Sequence, residues 1–402
     1  MNGRRVSLAL TIGIAVVLVN GLAATPAHAH TRTAETTNLA SVVTNAPELE
    51  GVTFTVYTGG FLIGLTNATD RDIIVAGYDG EPYLRIGPDG AFENRHSAAT
   101  YLNRERYGDV AVPPRVDPAS DPDWIRVSAQ PSWVWHDHRT HWMSPQPPRF
   151  VEASVVTRLL MRARLVGPIG SGGEQQGAFQ EWQIPFEHDQ HAYVISGELR
   201  WIDAPPVWPW YLLAAAFVAM MLGVNRAVSR HEMIGPQRWL NPLANLVVAV
   251  AVVNAIHLVD DLAAWPGDLL DELFGLLHTL LFLTAGLVGA FWARYARDGR
   301  VLALGIASGA LVYHQGLVHL PMLYASQFPT LWPPELVRFS VALGLMQAVP
   351  VAWFVIGHLR SHRSDANNGL QADVSQPTVP VASKADQPHI NLDSNIKYGT
   401  KR

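Results

Sequence analysis

Three histidines and an aspartate crowd into positions 136–141 of the stretch PSWVWHDHRTHWMSPQPP (131–148): His136, Asp137, His138 and His141, with Met143 close behind. Imidazole is a ligand for copper, zinc, iron and nickel, and a thioether adds a preference for Cu(I). In an extended strand His136 and His138 project from one face, while Trp135 and Asp137 point to the other. A bend at Arg139–Thr140 brings His141 back toward the same point. The spacing therefore predicts a compact metal site of His136, His138 and His141, with Met143 as a further ligand. Asp137 is placed to orient an imidazole by accepting its N–H. Trp135 and Trp142 are placed to exclude water or stack on a cation. The bland alternative is an aromatic-rich loop whose histidines each hydrogen-bond a neighbour.

The chain contains no cysteine, which excludes thiolate zinc sites, iron–sulfur clusters and disulfides. Any metal falls to His, Met, Asp, Glu or backbone. Of the candidates, copper is favoured over zinc. The N-terminus reads as a secretory signal: Arg4 and Arg5, an apolar run from Val6 to Ala23, then the small residues of TPAHAH. Cleavage after Ala29 removes residues 1–29 and makes His30 the first residue, whose amine and ring can chelate one ion together. Cleavage after Ala27 exposes His28 instead. His96, His188 and His191 are weaker candidates; the last two, in FEHDQH, read as a solvated turn.

These residues must be positioned by a β-rich domain. From about residue 30 to 205, short β-branched and aromatic runs alternate with Gly, Asn and Asp turn signals. The pattern predicts an all-β antiparallel sandwich of the immunoglobulin or cupredoxin kind. TRLLMRARLVG and HAYVISGELRWI read as later strands, residues 104–131 as a long loop. YDGEPYLRIGPDG reads as a hairpin in which Glu81 and Arg85 pair.

Beyond residue 205 the chemistry changes. Only 16% of the chain is charged and 49% is hydrophobic. Five apolar stretches, near 208–226, 238–259, 269–293, 301–322 and 335–358, each approach the roughly 20 residues that span a bilayer. Arg226, Arg230, Arg294, Arg297, Arg300, Arg360 and Arg363 all fall in connections of one side, whereas the opposite connections are acidic or aromatic. The positive-inside rule places the N-terminal domain outside and the C-terminus in the cytoplasm. Trp208, Trp210, Trp265 and Trp332 form an outer aromatic belt. Residues 361–402 are polar and read as a disordered tail. The net charge of −5 gives no reason to expect a nucleic-acid partner.

The spans carry His257, Asp260, Asp261, His278, His314 and His319. Ionisable side chains in a bilayer are costly and mark pathways or cofactor sites. Three readings stay open: a copper relay, axial ligands to haem b, and hydrogen-bonding glue between helices. A spacing of five sends His314 and His319 to diverging sides of an α-helix.

The stretch GYDGEPYLRIGPDGAFENRHSAATYLN followed by WHDHRTHWM resembles a family of bacterial exported membrane proteins with no assigned activity, over most of residues 50–205. The overall architecture is similar to that of periplasmic copper-resistance and copper-chaperone proteins, although a full methionine-rich copper motif is absent from the sequence. The second resemblance implies copper handling at the outer face of a cell membrane, with the bilayer, a metal ion and other exported copper proteins as partners. A membrane redox or haem protein, and an assembly or sensing protein, are the alternatives. No catalytic motif marks the chain as an enzyme.

Overall fold

The computed structural model describes residues 36–144, 146–163, 165–173, 177–228, 239–264 and 273–374. The segment expected to be a signal peptide, His30 and residues 375–402 lie outside them. Among the described residues, ten strands form two antiparallel sheets, followed by five helices long and apolar enough to span a membrane. The larger sheet runs β1 (Leu39–Asn45), β10 (His191–Trp201), β9 (Gly177–His188), β4 (Ile73–Ala76), β5 (Pro82–Gly87), β6 (Gly90–Asn94) and β7 (Trp124–Ser128). The smaller runs β2 (Val52–Val56), β3 (Leu62–Asn67) and β8 (Ser132–His136). Alternation along each strand sends one row inward. Ile63, Leu65 and Trp135 of the small sheet share one core with Ile73, Val75, Leu84, Ile86, Ile184 and Phe186 of the large one. Two sheets closing on a common apolar layer make the sandwich.

Several expectations need correction. TRLLMRARLVG is not a strand: Val155–Arg162 is a helix, capped by Ser154, whose Oγ accepts from Thr157 N at 3.0 Å. The cap and an apolar arc of 3.6-residue period account for the helix. The 104–131 segment is not all loop, because Trp124–Ser128 pairs with β6. The β5–β6 hairpin is as expected, with Gly87 opposite Gly90. Glu81 does not pair with Arg85, however. It sits in the turn before β5, buried, accepting from Asp79 N and Ser97 Oγ, while Arg85 reaches Asp72 at 3.4 Å.

With the short helix Ala99–Leu102 as α1 and Val155–Arg162 as α2, the membrane part comprises α3 (Trp208–Val228), α4 (Leu240–Ala264), α5 (Leu273–Tyr295), α6 (Arg300–Leu311), α7 (Pro334–Met346) and α8 (Ala348–Val374). α6 continues as a π-helix over Val312–Val318, and α7 with α8 forms the fifth span. α8 runs to Val374, past the expected end of ordered structure near residue 360. Small residues let the helices approach: Ala244, Ala251, Ala290, Ala293, Ala307 and Ala342 are buried in the bundle core.

The sandwich is joined to the bundle through the connection between the fourth and fifth spans. Thr37 and Gln327 exchange both backbone hydrogen bonds at 2.9 Å, and Ser326 N donates to Asn38 Oδ1 at 2.9 Å. Ala325, fully buried, packs with Met161, Val166 and Ile169. This contact fixes the sandwich over the ends of the spans that carry His314, His319 and Arg338.

Candidate metal centre

β8 ends at His136, and the chain then turns: Thr140 N donates to Asp137 O at 3.1 Å. The turn is anchored across the small sheet by Thr140 Oγ1, which donates to Gly60 O at 2.6 Å. Gly60 has φ +75°, and a Cβ there would stand 2.2 Å from Thr140 O, so only glycine lets the β2–β3 connection approach this closely. The result brings three imidazoles together. Their ring centroids lie 4.5 Å apart for His136 and His141, 5.1 Å for His136 and His138, and 5.6 Å for His138 and His141. One ligand nitrogen from each lies within 4.8 Å of the other two.

Each ring spends its other nitrogen on a backbone carbonyl: His136 Nδ1 on Asn103 O (3.2 Å), His138 Nε2 on Glu105 O (2.8 Å) and His141 Nδ1 on Trp142 O (3.1 Å). Hydrogen bonds of this kind set tautomer and orientation in metal-ligating histidines. They leave Nε2 of His136, Nδ1 of His138 and Nε2 of His141. The two Nε2 atoms are buried with no hydrogen-bond partner. An orphaned buried imidazole nitrogen costs about 1–3 kcal/mol, and two in one cluster fit a site built for a cation. Gly108 backs the third ring, where a Cβ would meet His138 Cε1 at 3.2 Å and Nδ1 at 3.6 Å. Nitrogen–metal bonds of about 2.0–2.1 Å in a tetrahedral site separate the donors by roughly 3.4 Å, so ligation requires the rings to close in by at most about 1.4 Å.

Asp137 is fully buried but accepts from no histidine. Arg139 grips it through Nε (2.8 Å) and Nη2 (2.7 Å), and Trp135 Nε1 donates at 3.0 Å. Burial alone would raise its pKa; the hydrogen bonds and charge of Arg139 outweigh that and hold it below the usual carboxylate range. Its role is to lock the turn, not an imidazole. The tryptophans do not cover the rings either. Trp135 sits in the sandwich core and Trp142 packs on Phe179, donating to Gln146 O. Phe61 and Tyr78 take that place: Phe61 lies 4.5 Å from His136 and 5.3 Å from His141, and Tyr78 stacks on His138 at 6.0 Å. Tyr78 also ties the parts together, accepting from His138 N and donating to Asn103 Oδ1. Met143 stands at the surface, 37% exposed. His96, His188 and His191 are outside the cluster, each on a loop carbonyl.

The Arg106 guanidinium stacks on Phe61 at 4.6 Å. Burial pushes His136 well below its ordinary pKa, and the neighbouring His141, His138 and Arg106 push it further. Burial and then Arg106 push His141 down to about 3, and burial lowers His138. All three rings are therefore neutral and ready to ligate near pH 7. The unfolded chain would protonate them near 6.5, so it binds protons that the folded form refuses. The stability they allow is complete above pH ~6.5 and declines as pH falls, by roughly 1.4 kcal/mol per pH unit for each imidazole so affected. Melting of the metal-free protein should show that slope between neutral and acid pH. It should be shallower in H136A/H138A/H141A; identical slopes would contradict this electrostatic picture.

In the bundle, His257, His319, His314 and His278 form a row, with successive ring centroids at 4.9, 5.1 and 5.7 Å. The expected divergence of His314 and His319 is overturned. The π-helix over Val312–Val318 has wider turns, which align residues five apart, and His319 Nδ1 meets His314 O at 2.8 Å. His257 Nδ1 receives Gln315 Nε2, which also donates to Ser340, and His314 Nε2 bonds Thr279 Oγ1. Asp260 is not part of this row. It accepts from Leu331 N, Trp332 N and Thr330 Oγ1, closing the connection before α7. The side chain of Asp261 lies outside the described residues.

Phe61, Tyr78, Asn103, Glu105 and Arg106 were not singled out from the sequence, since nothing in their spacing ties them to residues 136–141. No protein family, curated protein or solved structure matches this chain.

Proposed function

We propose that the protein is a membrane-anchored metal-binding protein that captures or delivers copper, as Cu(I), through His136, His138 and His141 at the outer face of a cell membrane. The observation that carries this reading is the pair of orphaned, buried Nε2 atoms converging with a third imidazole. A fold that strands two ring nitrogens side by side gains from an ion that satisfies both.

The charge balance selects the ion. The three ligands are neutral, and Asp137 is paired with Arg139. The cost of desolvating an ion scales with the square of its charge. A monovalent ion therefore suffers much less than Zn²⁺, and imidazole is an acceptable ligand for copper. Three protein ligands leave a coordination position open, through which an ion can be passed to an exported partner. The arginine-rich connections support an outward-facing sandwich and an inward C-terminus.

The test is the copper content of the full-length chain, purified after exposure to Cu(I) under reducing conditions. About one copper per chain in the wild type, abolished in H136A/H138A/H141A with the fold retained, is expected. Equal copper in both, or none in either, would end the proposal. An assembly or sensing role would then remain, and the variant would keep full function.

A further inference from the structure

α2 leaves an apolar arc uncovered at the level where the sandwich meets the bundle. Val155 and Val156 are about two-thirds exposed (66% and 65%) and Leu159 is 58% exposed. On a helix at 100° per residue these three share one arc, while Arg158 and Arg162 flank its edge. Met161 points elsewhere, 1% exposed, and packs against Ala325. Ala325 belongs to the connection between the fourth and fifth spans, next to Tyr324, which is itself exposed. The buried side of α2 thus rests on the rim of the membrane-crossing bundle. Its open side has apolar residues where a water-facing helix would carry polar ones.

We propose that α2 is an interfacial helix: Val155, Val156 and Leu159 sink into the leaflet adjoining the sandwich, and Arg158 and Arg162 bind lipid phosphates at its edge. Continuity with the bundle rim identifies the occupant as lipid. An apolar arc bordered by arginines has the composition of helices that lie in the headgroup region, with long basic side chains reaching up to the phosphates. Together with the Thr37–Gln327 bridge, α2 gives the sandwich a second attachment and holds the His136 turn at a fixed height above the bilayer.

The absence of native cysteine makes the test clean. Nitroxide labels are placed on the full-length chain by L159C and V156C, with D121C as an aqueous reference and L281C in α5 as a lipid reference. Each is reconstituted in nanodiscs of phosphatidylcholine with phosphatidylglycerol. Labels at 159 and 156 should be more accessible to oxygen than to a water-soluble nickel chelate, as at 281 and opposite to 121. R158E/R162E should shift the label at 159 toward the aqueous ratio. Aqueous accessibility at both 156 and 159, or spin–spin broadening from a second copy, would overturn the proposal; no shift in R158E/R162E would overturn the phosphate contact.

Discussion

Replacing any one of His136, His138 and His141 by alanine should weaken copper binding by two to three orders of magnitude. Four-ligand structural sites reach about 10–16 kcal/mol, so each ligand carries roughly 2.5–4 kcal/mol. A three-ligand site with one removed retains two donors at best. The three single variants should fall together, because each ring supplies one nitrogen and each is oriented by its own carbonyl. Titration with a competing Cu(I) chelator reads the effect. A single variant with wild-type affinity would show that its ring is no ligand. Met143→Ala, at an exposed position, serves as the comparison.

The second large effect is structural. Asp137→Ala removes the counter-charge of Arg139, whose side chain is only 17% exposed, and the acceptor of Trp135. Breaking a buried pair by deleting one partner costs about 3–5 kcal/mol. For a domain of this size that lowers Tm by roughly 6–20 °C. Copper affinity should fall as well, although Asp137 touches no imidazole, because the turn it locks carries His138 and His141. Replacing both partners, as D137L/R139M, should recover much of the stability. A melting curve unchanged in D137A would show that the turn holds without its carboxylate.

The layout was legible because it rests on composition and period. Apolar runs of span length and alternating strands with Gly and Asn turns are local signals, and they led to the five spans and to most of the strands. The three imidazoles were legible for the same reason, being six residues from end to end. What failed was the choice of side-chain partners. Asp137 was expected to hold an imidazole, but Arg139, two residues on, offers two N–H groups and a charge and outcompetes any ring. The carbonyls that orient the histidines come from Asn103 and Glu105, in a loop whose position depends on the whole sandwich. α2 was misread because its cap, Ser154, lies upstream of the TRLLMRARLVG stretch. The row of bundle histidines was misread because an α-helical period was assumed where the chain adopts a π-helix.

Three neutral imidazoles as the ligand set should take a cation of low charge through nitrogen alone. X-ray absorption at the copper edge of the loaded full-length protein addresses this in one spectrum. The expected result is Cu(I) with nitrogen neighbours near ~2 Å and the outer-shell scattering of three imidazoles. Sulfur in the first shell, or a spectrum unchanged in H136A/H138A/H141A, would place the ion elsewhere.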